Sequence, residues 1–224
     1  MHFEVLYRPA HALARVHLGP NEAVTAESGA MVGMSPNLHL ATQSGGLLSG
    51  VKRLFGGESF FRNTFTAQGG PGEVLLAHAL CGDMRVLEMT ERGFLLQSSA
   101  FVAATTNVQV ETAVGGMKGF FSGAGLFALS ATSPSPGLLL IGAFGGIEEL
   151  YCDGNIVIDT GHLVAWDATL DYSLGKSGSG WLVSFLSGEG LVCHFRGQGR
   201  IWIQSRSATA YGRELGSLLP ARKG

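Results

Sequence analysis

Charge is scarce in this sequence. There are 15 Lys and Arg and 17 Asp and Glu among 224 residues, giving a formal net charge of −2. Such a balance creates no long-range field to draw a phosphate backbone, so nucleic acid is not an expected partner. Proline is also rare, at 7 residues, which excludes a collagen-like reading of the 34 glycines. Disorder needs low hydrophobicity and high net charge, whereas 46% of this chain is hydrophobic. The three cysteines, Cys81, Cys152 and Cys193, are far apart and odd in number. They fit a reducing compartment better than a disulfide framework. No apolar run approaches the ~18 residues a membrane-spanning helix needs. The opening Met1-His2-Phe3-Glu4-Val5 has no basic stretch followed by an apolar one, so no signal peptide is expected. The expected location is cytoplasmic.

Catalytic patterns are missing as well. The seven histidines (His2, His11, His17, His39, His78, His162 and His194) show neither H-x-H nor H-E-x-x-H spacing. No metal and no cofactor are expected. Gly-x-Ser-x-Gly is absent. Cys152 precedes Asp153, whose charge raises a thiol pKa rather than lowering it. Cys193 and His194 are neighbours on a predicted strand and so face opposite ways. Gly115-Gly116-Met117-Lys118-Gly119 lacks the spacing of a phosphate loop. The expectation is a protein that is not an enzyme.

What the sequence has in quantity is strand signal. Glu73–Ala77, Met84–Met89, Phe94–Leu96, Gly137–Ile141 and Arg200–Gln204 are short, apolar or alternating, and bounded by Gly, Pro, Asp or Ser. The predicted class is all-β. Three motifs also recur in one order. Glu27-Ser28-Gly29-Ala30-Met31 returns as Glu91-Arg92-Gly93-Phe94-Leu95 and as Asp153-Gly154-Asn155-Ile156, its glycines 64 and 61 positions apart. Leu54-Phe55-Gly56-Gly57-Glu58 returns around Gly123 and Gly188, at spacings of 66 and 65. Pro71-Gly72-Glu73-Val74 returns as Pro136-Gly137-Leu138-Leu139 and Gln198-Gly199-Arg200-Ile201, at spacings of 65 and 62.

Three motifs sharing one period predict three β subdomains, roughly 9–73, 74–138 and 139–206, packed around a pseudo-threefold axis. The glycines 29, 93, 154, 57, 123, 188, 72, 137 and 199 are read as turn positions. One unit is too small to bury its apolar face alone, so the three should form a single barrel- or prism-like domain. The N- and C-terminal strands are expected to meet and close the ring. Residues 207–224 are read as a partly helical tail.

At these residues the sequence resembles a known family, the prokaryotic relatives of the mitochondrial biogenesis factor called altered inheritance of mitochondria protein 24. The run from Phe3 through Val32 looks like that family's opening block, with Pro20-Asn21-Glu22 and Ala26-Glu27-Ser28-Gly29 within it. Gly45 through Phe61 looks like its first Gly-rich block, and Gly188 through Ser205 like its closing block. The resemblance implies units similar to the trp RNA-binding attenuation protein or to a double-stranded β-helix. It implies little chemistry. The mitochondrial relative is associated with inner-membrane organisation, and no transit peptide is expected here to carry that role across.

One set of segments stands out as a candidate interaction surface. Leu47, Leu48, Lys52, Arg53, Leu54 and Phe55 combine apolar bulk with two cations. The corresponding places in the other copies hold Lys118, Phe120 and Phe121, and Trp181 and Phe185. They are read as core, as a subunit interface, or as an apolar and mildly basic surface for lipid headgroups or a protein partner. The expected function is a self-assembling scaffold or interaction protein, a homo-oligomer with a trimer favoured. A small-ligand or RNA-binding module using the clefts between repeats is the alternative.

Overall fold

A computed structural model describes residues 1–44, 61–89, 91–113, 128–176 and 191–220. The chain is nearly all β. Its first part gives β1 (His2–Leu6), β2 (Leu13–Leu18), β3 (Ala23–Glu27), β4 (Met31–Met34), β5 (Leu38–Ser44), β6 (Phe61–Ala67) and β7 (Gly72–Ala77). The middle gives β8 (Met84–Glu88), β9 (Phe94–Gln97), β10 (Phe101–Thr105), β11 (Gln109–Thr112), β12 (Ala128–Thr132) and β13 (Leu138–Gly142). The last part has two long strands, β14 (Ile147–Asp159) and β17 (Leu191–Gln204), with β15 (Leu163–Asp167) and β16 (Asp171–Lys176) between them.

The strands form three antiparallel sheets whose orders match. One runs β5-β6-β3-β10-β13-β8 and another β11-β12-β9-β15-β17-β14. Each strand of the second is the counterpart of the strand at the same place in the first, about 62–71 residues earlier. The third sheet, β1-β2-β7-β4, holds the counterparts of β8, β13 and β10 in β2, β7 and β4. The counterparts of β5, β6 and β3 are β16 and the facing halves of β17 and β14. On this pairing the strand groups run 13–77, 84–142 and 147–204, so β7 completes the first group.

A register irregularity recurs in three of these strand pairs. β4 pairs β7 with a bulge between Met31 and Gly33. β10 pairs β13 with a bulge between Phe101 and Ala103, and β15 pairs β17 with one between Leu163 and Ala165. The extra residue is a valine each time: Val32, Val102 and Val164. Bulges bend a strand and re-aim its side chains, which suits a sheet that must turn from one core to the next.

The core has three parts. One holds Val16, Val24, Leu38, Phe65, Val74 and Leu76. The second holds Leu87, Phe94, Val108, Leu129, Leu139 and Trp202. The third holds Cys152, Trp166, Leu170, Cys193, Phe195 and Ile201. β10 and β15 have apolar residues in two clusters each: Val102 and Ala103 face the first and Phe101 and Ala104 the second; Val164 and Ala165 face the second and Leu163 and Trp166 the third. Such strands are buried on both faces and read as unbroken apolar runs.

The Gly72, Gly137 and Gly199 motif has a steric cause. A Cβ on Gly72 would overlap Leu38 Cδ1, and one on Gly137 would lie 2.9 Å from Val108 Cγ2 and Thr105 Oγ1. One on Gly199 would lie 2.9 Å from Leu170 Cγ. Leu38, Val108 and Leu170 are counterparts and all are buried. The next residue's N–H is also held the same way three times. Glu73 N donates to Ser35 Oγ at 2.9 Å, Leu138 N to Thr105 Oγ1 at 3.0 Å, and Arg200 N to Asp167 Oδ2 at 2.7 Å.

Two expectations need correction. Gly93 and Gly154 do share a corner, with φ of +69° and +103°, but Gly29 at +96° belongs to the next turn, between β3 and β4. In the first unit the left-handed residue at that corner is Asn21, at +64°. Asparagine is among the few residues that tolerate this conformation, so the motif was hidden by a change of residue type. The terminal strands also do not meet. β1 pairs β2, while the end of β17 pairs β14 and β15 in another sheet. Gly57, Gly123 and Gly188 lie outside the described residues. The tail forms helix α1 (Ala208–Leu218), capped by Ser207, whose side chain accepts from Ala210 N. None of its residues is buried.

Candidate functional site

The eleven residues of the predicted interaction surface, Leu47, Leu48, Lys52, Arg53, Leu54, Phe55, Lys118, Phe120, Phe121, Trp181 and Phe185, lie outside the described residues. Their places of attachment are described. The first segment leaves β5 and enters β6 where Ser44 pairs with Phe61. The second leaves just beyond Thr112, which pairs with Leu129. The third leaves at Lys176, which pairs with Leu191. All three join counterpart hairpin strands at the same end.

A cleft lies where the middle and last units meet. Arg92, Glu149, Tyr151, Asp167, Gln198, Gly199 and Arg200 line an open cavity of about 510 Å³. Its floor is an ion pair. Asp167 is buried at the end of β15 and accepts from the Arg200 N–H, from Nε at 3.3 Å and, through Oδ1, from Nη2 at 3.1 Å. The Arg200 guanidinium lies over the rings of Trp202 and Phe94, at 5.0 and 5.6 Å from their centroids. Those two rings meet edge to face at 5.5 Å. Aromatic faces attract a planar cation, so Arg200 is held by charge on one side and π density on the other.

The wall of this cleft joins two units. Glu149 Oε2 accepts from Trp202 Nε1 at 2.9 Å and from Arg85 Nη1 at 3.3 Å. Arg85 belongs to β8 and Glu149 to β14, so the contact crosses between units. A second clamp ties the β1–β2 turn to the approach to β8: Arg8 gives Nε and Nη2 to the buried Asp83 carboxylate at 2.7 and 2.8 Å. Hydrogen bonding to that carboxylate raises the Arg8 pKa. Sequence reading missed all three pairs, and only that of Asp167 with Arg200 left a signal. The available signal was Asp167 itself, which puts a carboxylate where the other units use Ser35 and Thr105.

The two buried thiols are set against reactivity. All three cysteines are free, with Cys152 and Cys193 buried and Cys81 exposed. Burial pushes the Cys193 thiol up to about 12. Burial, and then the charge of Asp153, raises that of Cys152. A thiol held protonated is a poor nucleophile and a poor metal ligand. Among the described residues no three His, Cys, Asp or Glu side chains gather to hold a metal ion, and no helix is long and apolar enough to cross a membrane.

Comparison with known proteins gives one picture. The family described as Mitochondrial biogenesis AIM24 matches residues 3–206. A protein of Streptococcus pyogenes serotype M6, uncharacterised by its name, is 33% identical over 93% of this chain and 87% of its own length. The crystal structure of a Streptococcus pyogenes protein superposes with a TM-score of 0.81 at 30% identity, over 97% of this chain and 99% of that one.

Proposed function

The chain belongs to the Mitochondrial biogenesis AIM24 family, and from that premise we propose that it is a non-enzymatic, self-assembling scaffold with a peripheral contact to a membrane. The observation that carries this reading is the common attachment of the three insertions, each joining counterpart strands at the same end of its unit. The sequences of the insertions include Leu47, Leu48, Leu54, Phe55, Phe120, Phe121, Trp181 and Phe185, with Lys52, Arg53 and Lys118 among them. Apolar residues mixed with cations suit the boundary between headgroups and acyl chains. Two buried free thiols fit the reducing cytoplasm.

Co-sedimentation with vesicles containing phosphatidylserine tests the membrane contact. Wild type should pellet with the vesicles, and the double substitution Lys52→Glu, Arg53→Glu should lower the pelleted fraction several-fold. Equal pelleting of the two would overturn the contact.

A second reading is favoured by the cleft over Arg200, which holds Arg92, Tyr151 and Gln198 at its rim. On this reading the inter-unit cleft takes a small anionic ligand. Thermal shifts with a panel of small carboxylates and phosphates, repeated on Arg92→Ala, test it. A shift that survives the substitution counts against this cleft.

A further inference from the structure

Two sheet edges are left over by the repeat, and their side chains do not look like edges. Val32 is 59% exposed, whereas its counterparts Val102 and Val164 are 0% and 1% exposed. Met31 and Met34 on the same strand are each 40% exposed. Their counterparts are Phe101 and Ala104 on β10 and Leu163 and Trp166 on β15, all buried. On the other open edge Val157 of β14 is 54% exposed. Among the described residues β4 pairs only with β7, and residues 155–159 pair only with β17.

The chain makes the corresponding junction twice within itself. β3 pairs β10 with Val24, Thr25 and Ala26 opposite Thr105, Ala104 and Ala103. β9 pairs β15 with Phe94, Leu95 and Leu96 opposite Asp167, Trp166 and Ala165. One further step along the repeat puts Ile156, Val157 and Ile158 opposite Ser35, Met34 and Gly33. Those residues lie on the two open edges. At each internal junction the bulged strand turns its other face over the preceding core: Val102 and Ala103 close the first cluster, and Val164 and Ala165 close the second. The third cluster has Ile156 and Ile158 only partly buried beside it.

We propose that copies of this chain join head to tail, with β4 of one copy paired to residues 155–159 of β14 in the next. The register has Gly33, Met34 and Ser35 facing Ile158, Val157 and Ile156. The occupant of each edge is a second copy because the two edges complement each other through a junction already built twice in the chain. The interface is heterologous, so repeated addition gives a ring where the rotation closes. It covers Val32 and Met34 and completes the third core. The inference rests on the self-assembly reading and gives it an interface.

Two measurements test it on the full chain. In sedimentation velocity at tens of micromolar, wild type should run larger than a single chain. Val157→Lys and Met34→Lys should each shift it to the monomer while circular dichroism stays unchanged. In a Cys81→Ser background, the Met34→Cys chain mixed with the Val157→Cys chain should form a disulfide-linked heterodimer on mild oxidation, since opposed Cβ atoms in such a pair stand about 4.5–5.5 Å apart. A monomeric wild type would overturn both the pairing and the assembly reading. An oligomer that survives both lysine substitutions and gives no heterodimer would overturn the edge pairing alone.

Discussion

Glu27 stands at the end of β3, beside the point where the chain leaves toward the first insertion. Its register partner on β6 is Arg62. Burial is nevertheless the dominant effect, and it raises the Glu27 carboxyl to about 7. In the unfolded chain the same group titrates near 4.5. Between those two values the folded state holds a proton that the unfolded state has released. Stability from this group is therefore fully present below pH 4.5 and is lost as pH rises through 7. Glu27→Gln keeps the neutral shape without the titration. Urea melts should show the variant gaining up to about 3 kcal/mol on wild type at pH 8 and little at pH 4.5. Equal stability gaps at both pH values would refute this. Residue-scale chemistry of this kind was not legible in the sequence. Glu27 could be seen at a turn, but its burial is set by neighbours far away along the chain.

At the scale of the element, strand starts are where the repeat is most exacting. β7, β13 and the end of β17 all begin beside a buried aliphatic side chain, and a glycine hydrogen is all that fits there. Gly137 has 2.9 Å to two neighbours for an added Cβ, while Gly29 has nothing within 4 Å and only its positive φ to defend. Gly137→Ala should cost about 1–3 kcal/mol through overpacking. Gly29→Ala should cost about 1 kcal/mol through backbone strain alone. Urea midpoints order the two, and an equal or reversed order would show that the close approach is relieved by movement of Val108. This motif was legible because only one residue type satisfies the site, so the letter itself repeats. The bulges at Val32, Val102 and Val164 were not legible as bulges, because valine is an ordinary strand residue. The corner at Asn21 was misread because two residue types can hold a left-handed backbone.

Across the whole molecule the three cores share walls. β10 lies between the first and second clusters and β15 between the second and third. An ion pair also joins the second and third units, Arg85 with Glu149, and Arg8 with Asp83 ties the β1–β2 turn to the approach to β8. No unit can lose its packing without uncovering its neighbour, which couples the units. Urea unfolding followed by tryptophan fluorescence and by circular dichroism should therefore give one coincident transition. Trp166 and Trp202 report on the third and second clusters, so separate transitions would show that the units melt independently. The sequence by itself determined the all-β class, because strand alternation is local, and it marked Gly72, Gly137 and Gly199, because the space beside each leaves no room for a side chain. It could not determine which strands are edges. Met31–Met34 is as apolar as Phe101–Ala104, yet the first is exposed and the second is buried on both faces. The difference is what stands beside each strand after all others have paired. Only the tertiary structure decides that, because an edge is defined by the absence of a neighbour and not by the residues that form it.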